Sequence, residues 1–300
     1  MKRIFTLLIC LFWSVSASSS VYVVHDIEEG SARSLVFQLS ELLPSKTQLI
    51  PIRNIFLKPN LDHVKHDDMI VAIGVDSFSE ICEYATQGNV IAAFIGKEEY
   101  LKVKQTCSIP SSAIFSGAPL EIRLSLLQSI WFDKKPMAVL YSDNLFINKE
   151  EMLQYAYNYG FRFRFYKVES DRLSATKVVR EAIAESDLII SLMDSQLYNN
   201  RTSQKIRKIL FQNNKVIIGA SFPTTHSGAL FAIFSNSDAK LNTLASYVES
   251  WVEGSNLLPP SYPNELRVNF NSFLVRAHGL VLPSSAYLKS AFGLCSEAHC

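Results

Sequence analysis

Two periodicities alternate along the chain: short apolar runs of four to seven residues, and longer stretches whose apolar residues recur three and four positions apart. The first reads as buried strands and the second as amphipathic helices. Val21 to Val24 opens as a strand, followed by the polar turn His25, Asp26 and a helix carrying Leu35, Val36, Leu39, Leu42 and Leu43 on one face. Leu49 to Ile52 and Met69 to Ile73 are further strands. The latter ends at Gly74, with Asp76 or Ser77 placed to cap a helix whose apolar face is Phe78, Ile81, Cys82 and Ala85. Val90 to Ile95 is a fourth strand. Such alternation implies an α/β fold with a parallel sheet covered on both faces.

The pattern breaks between Pro110 and Pro119 and then restarts. A helix is expected over Glu121 to Trp131 and a strand over Met137 to Tyr141. Asn148 and Glu151 are spaced as N-cap and capping-box partner of a helix ending at Gly160. Phe161 to Val168 alternates aromatic and basic residues, as a strand near a sheet edge would. Ala175, Val178, Val179, Ala182 and Ile183 mark the next helix, and Ile206, Ile209 and Leu210 another. Flanking that second helix are the strongest strand signals in the chain, Asp187 to Ser195 (DLIISLMDS) and Val216 to Phe222 (VIIGASF). Each is an apolar run that ends in small or polar residues, as a buried parallel strand does when its carboxyl end opens on a cleft. Asp194, Ser195, Ser221 and Phe222 are therefore expected to contact something small, the alternative for Asp194 being a cap on the following turn. Gly228 to Phe234 is extended, Ala239 to Val252 helical, Gly254 to Pro263 a proline-rich crossing, Arg267 to Phe270 a strand and Ser272 to His278 a short helix. Two α/β units of similar size, with a tail able to pass between them, are thus predicted.

At the N-terminus, Lys2 and Arg3, an apolar run from Ile4 to Val15 and the small residues Ser16 to Ser18 have the order of a cleaved secretory signal peptide, with Ala17 before the cut. The run is shorter than the roughly 20 residues of a membrane span. Removing Lys2 and Arg3 leaves 27 basic against 28 acidic residues, which offers no electrostatic footprint for nucleic acid. Of the five cysteines, Cys82, Cys107, Cys295 and Cys300 remain after cleavage, and an oxidising compartment allows two disulfides in three possible pairings. The favoured pairing is Cys82 with Cys107 and Cys295 with Cys300, although sequence does not establish connectivity.

Four segments in order resemble the ABC-transporter substrate-binding family that includes tryptophan- and tyrosine-binding lipoproteins. They are RLSLLQSIWFDKKPMAVLYSD (123–143), ESDLIISLMDSQLYNN (185–200), KVIIGASFPTTHSGALFAIFSN (215–236) and WVEGSNLLPPSYPNELRVNFNSFLVRAHGLVLP (251–283). The resemblance implies a type I periplasmic binding protein: two Rossmann-like lobes with parallel sheets, joined by hinge crossings and closing on a ligand. It implies lobe one over 18–115 with about 237–258 returning to it, lobe two over 116–236 with about 265–283, and a C-terminal tail over 284–300. Asp194, Ser195 and Ser221 carry over to the lobe-two side of the cleft, and Gly74, Val75 and Asp76 to the lobe-one side. Ala113, Ile114, Phe115 and Ser116 stand where the family has Gly-Val-Ser-Asp at the first crossing, so Phe115 and Ser116 replace polar groups that would help grip an amino acid, and the ligand's identity does not carry over; Ser116 remains a candidate contact.

His25, Tyr141 and His226 complete the candidate ligand contacts: His25 and His226 by their place near the expected cleft, Tyr141 with Tyr22, Tyr198 and Phe222 as rings able to stack. The backbone amides of Val75 and Asp76 at a helix start suit a carboxylate or phosphate. No GxSxG, P-loop or HExxH is present, the six histidines are scattered, and neither metal nor cofactor nor catalysis is expected. The chain is therefore expected to be a periplasmic, monomeric protein that binds a small amino-acid-like ligand. It would hand that ligand to an ABC permease or, alternatively, report occupancy to a membrane sensor partner.

Overall fold

The computed structural model describes residues 20–45, 47–132, 135–169, 172–221, 228–254 and 257–296. The segment read as a signal peptide, together with Phe222, His226 and Cys300, lies outside the described residues.

The first lobe is a five-stranded parallel sheet in the order β2-β1-β3-β4-β5, built from β1 (Ser20–His25), β2 (Gln48–Arg53), β3 (Met69–Ile73), β4 (Asn89–Ile95) and β5 (Ser111–Phe115). β3 shows why the sheet needs cover on both faces. Met69, Val71 and Ile73 point into one core, Ile70 and Ala72 into the other, and all five are buried. Period-two alternation delivers apolar side chains to both sides, and each large aliphatic so buried contributes about 1.5–3 kcal/mol. The helices α1 (Glu29–Leu42), α2 (Leu57–Leu61), α3 (Gly74–Tyr84) and α4 (Lys97–Lys104) connect these strands.

The second lobe holds a four-stranded parallel sheet in the order β7-β6-β8-β9, from β6 (Met137–Tyr141), β7 (Phe163–Lys167), β8 (Leu188–Ser191) and β9 (Val216–Ile218). α5 (Leu120–Ile130) leads into β6, and α6 (Lys149–Asn158), α7 (Arg172–Glu185) and α8 (Asn200–Gln212) lie between the strands. β7 occupies an edge, where the wet side of its aromatic and basic alternation meets solvent. A further sheet follows, β10 (Phe231–Phe234), β11 (Leu266–Phe270) and β12 (Leu294–Ser296), joined to β9 through a bridge between Gly219 and Ala232. α9 (Ser237–Val252) leaves this sheet and packs Leu241, Leu244, Ala245 and Val248 into the core of the first lobe beside Val21 and Met69. α10 (Ser272–Ala277) and α11 (Ser285–Phe292) pack Val275 and Leu288 into the second. The chain passes between lobes after β5, after β10 and after α9.

Several expectations change. The break at 110–119 contains the fifth strand of the first lobe. β4 and β5 pair around a bulge between Ala93 and Ile95, and the crossing after α9 adds Ser261 to the edge of β5. α4 escapes the periodicity because only Tyr100, Leu101 and Val103 in KEEYLKVK are apolar. The two organising strands are shorter than their apolar runs, ending at Ser191 and Ile218. α3 starts at Gly74 with no side-chain cap; the left-handed φ of +86° at Gly74 turns strand directly into helix, and Ser77 Oγ instead donates to Asn54 Oδ1 at 3.0 Å. Asn148 caps α6 as expected by accepting from Glu151 N at 3.2 Å, but the Glu151 carboxylate turns to Lys97 and Tyr155 rather than back to the cap. Within the segment assigned to a C-terminal tail, α11 is followed by β12, which pairs with β11 at the edge of the third sheet. Cys82 and Cys107 form a disulfide between α3 and the loop after α4, and Cys295 is also disulfide-bonded.

Candidate functional site

In each sheet the strand order reverses direction at one point, between β1 and β3 in the first lobe and between β6 and β8 in the second. Loops leaving the carboxyl ends of such strands diverge and leave a crevice. Here the two crevices face each other and form a cavity of about 500 Å³, inside the range of about 300–1,000 Å³ typical of small-molecule sites. Asp26, Gly74, Val75, Asp76, Phe94 and Glu99 supply the first lobe's wall; the turn 191–195, Tyr198, Arg207 and Ser221 supply the second's.

Of the residues anticipated from sequence, Gly74, Val75, Asp76, Asp194, Ser195 and Ser221 meet at this cavity. Ser116 and Ser221 line a neighbouring cavity at the hinge. Tyr141 lines neither and sits with its ring 5.3 Å from the Lys149 ammonium, a cation–π contact. His25, 3% exposed, is buried behind the wall with its Nδ1 unpartnered.

Asp194 is 3% exposed and its carboxylate is fully engaged. Oδ1 accepts from Ser142 Oγ at 2.9 Å and Leu197 N at 2.9 Å, and Oδ2 accepts from Ser142 N at 2.8 Å. It ties the turn after β8 to the end of β6, which is the capping alternative rather than a free head group for ligand. The cavity's unpartnered charges are others. Asp26 and Asp76 are exposed on the lobe-one wall and Arg207 lies partly buried on the lobe-two wall, and none of the three has a hydrogen-bond or ion-pair partner among the described residues. The Tyr198 hydroxyl is also buried without a partner among the described residues, and desolvation, with Asp194 nearby, raises its pKa.

Sequence reasoning missed Arg207, which is one residue beyond the apolar stripe of α8 and looks like an ordinary solvated position. It also missed Phe94, whose backbone sits at φ +60°, unusual for a bulky residue and imposed by the bulge in β4. No local signal distinguishes either.

The lobes are latched across the cleft. Glu99, 3% exposed, accepts from Gly96 N through Oε2 at 3.1 Å and from Ser195 N through Oε1 at 2.8 Å, so one carboxylate both caps α4 and reaches the other lobe. Burial raises its pKa, the bonds from Ser195 and Gly96 working the other way. Phe146 N donates to Glu98 O at 3.0 Å, and Lys97 meets Glu151 at 3.4 Å. At the hinge, the buried Arg123 donates Nη2 to Ser191 O at 2.6 Å and, at 3.4 Å, to Ile218 O and Gly219 O, pinning the ends of β8 and β9. Burial lowers this guanidinium to about 10 against the pull of Glu98, leaving it charged at neutral pH.

The fold is that of the type I periplasmic solute-binding proteins of ABC transporters. It is similar to an ABC domain from Streptococcus pneumoniae solved in complex with L-Trp (TM-score 0.67, 13% identity, covering 93% of this chain and 99% of that one). It is also similar to a ligand-free, open substrate-binding protein with adhesive properties from Clostridium difficile (0.61, 12%, 89% and 96%). A third neighbour is a periplasmic solute-binding protein from Actinobacillus succinogenes with bound D-allose (0.52, 9%, 86% and 99%). No family model matches the sequence, and no curated relative does either. Among the described residues no helix is long and apolar enough to cross a membrane.

Proposed function

We propose that the protein is a periplasmic binding protein that captures a small amino-acid-like solute between its lobes and delivers it to an ABC permease. The observation that carries this is the pattern of unpaired charge across the cavity: the carboxylates of Asp26 and Asp76 on one wall, the Arg207 guanidinium on the other, and no ion pair between them. A zwitterion satisfies both walls at once, its ammonium toward Asp26 and Asp76 of the first lobe and its carboxylate toward Arg207 of the second. Contact with both walls favours the closed form over the open one, which is how a solute drives closure. The reading is of binding without turnover, since Glu99 and Asp194, the buried acids of the cavity, have their oxygens committed to backbone amides and the Ser142 hydroxyl.

Thermal-shift screening of amino acids, aromatic acids, short peptides and neutral sugars tests it. A ligand at 100 times its dissociation constant adds about 2.7 kcal/mol to unfolding. Arg207→Gln should weaken the best amino acid about tenfold or more, as expected for a lost charge-assisted bond, with little change in the unliganded melting temperature. A panel with no amino-acid hit, or a hit bound equally by Arg207→Gln, would show the proposal to be wrong.

A further inference from the structure

A second cavity, of about 410 Å³, lies at the hinge and shares Met193 and Ser221 with the larger one. Its walls are Ser116 and Gly117 of the first crossing, Phe234 to Ser237 of the second, Lys240 and Arg267. Arg267 is paired with Glu265 at 2.8 Å. Lys240 has no ion-pair partner among the described residues. It is partly buried on the first turns of α9, 5.2 Å from the centre of the Phe94 ring, and no carboxylate among the described residues reaches it.

This placement is electrostatically unfavourable as it stands. A helix N-terminus carries partial positive charge and disfavours a neighbouring cation, and a desolvated charge without a counter-charge is costly. Asp238 in the same turn is exposed and makes no ion pair with Lys240. Asn236 uses its side chain to cap Ala239 N at 2.9 Å, leaving the Ser237 and Asp238 amides at the helix mouth. Ser235, 2% exposed, lines the same wall with a hydroxyl that has no partner, and the Ser116 hydroxyl has none among the described residues. One anion would satisfy Lys240, the amides at the helix mouth and the two serine hydroxyls together.

Building on the solute-binding reading, we propose that the hinge cavity is a second, anion-binding compartment of the cleft, in which Lys240 receives a carboxylate or phosphate group borne by the solute. Met193, which separates the compartments, then contacts the middle of the ligand, and the cleft selects solutes with an anionic end over neutral ones.

The test uses succinate and inorganic phosphate as probes, each titrated against sodium chloride of equal ionic strength, with melting temperature as the readout. One or both should stabilise the wild type in a saturable way, which of them responds distinguishing carboxylate from phosphate. Lys240→Gln should need about tenfold more anion for the same shift, and Lys240→Arg should retain most of it. The unliganded Lys240→Gln protein should melt no lower than wild type, because an unpaired cation has been removed. Equal protection of wild type and Lys240→Gln, no anion response in the wild type, or a lower melting point of Lys240→Gln with anion binding retained would each overturn the proposal. Amino acids and neutral sugars on the same plate report on the solute-binding reading separately. A hit there with a flat anion response removes only the hinge compartment, whereas an anion response lost in Lys240→Gln without any hit removes only the amino-acid reading.

Discussion

Gly96→Ala should hold the lobes apart without unfolding either of them. Gly96 has φ −75°, so alanine fits the local backbone. The obstacle is across the cleft, where an added Cβ would lie 2.4 Å from Met193 Cβ and 3.0 Å from Met193 O. Non-bonded carbons rest at about 3.5–4.0 Å, so the lobes must part by about 1 Å at this point. That displacement stretches the Glu99 to Ser195 N bond of 2.8 Å and the Phe146 N to Glu98 O bond of 3.0 Å beyond useful hydrogen-bond length. Two bonds at about 1 kcal/mol each disfavour closure by about 2 kcal/mol, or roughly 30-fold in the affinity of any ligand that requires the closed form. Small-angle scattering should give a larger radius of gyration for the variant in the presence of the best amino acid from the panel, and titration calorimetry the loss of affinity. The unliganded melting temperature should move little, since neither core is touched. A variant that compacts on ligand addition and binds like wild type would refute the reasoning, because the lobes would then not need this approach.

Asp194→Ala should destabilise the unliganded protein by about 2–4 kcal/mol, because Ser142 N and Leu197 N would lose their acceptor in a buried turn; chemical denaturation measures this, and an unchanged midpoint would contradict the structural role. Burial raises the carboxyls of Glu98 and Glu99 above their ordinary 4.5. For a raised carboxyl the folded state keeps a proton that the unfolded chain has released, so this contribution to stability is complete below about pH 4.5 and is lost as pH rises through the raised value. Melting profiles above pH 4.5 should therefore fall more steeply for wild type than for Glu99→Gln, and parallel profiles would rule Glu99 out as a source of the slope.

The sequence by itself determined the α/β class, the two-unit organisation and most element cores, because buried parallel strands must be apolar throughout and their covering helices must show a stripe. Met69 to Ile73 and Met137 to Tyr141 were legible to the residue for that reason. It also pointed to residues that line the cavity between the lobes, since small and polar residues after an apolar strand mark its carboxyl end. Strand ends were less legible: DLIISLMDS is apolar past Ser191 because Leu192 is buried in the turn. Only the tertiary structure decided what each polar group does. Asp194 looked like a ligand contact until Ser142, 52 residues earlier, was seen to occupy its oxygens. Glu99 and Lys97, in a charged stretch with no marked period, became latch residues only because hinge geometry sets them against Ser195 and Glu151. Arg207 and Lys240 stand out only by lacking an ion-pair partner among the described residues. A side chain's own sequence neighbourhood carries no record of the charges that folding brings, or fails to bring, within a few ångströms of it.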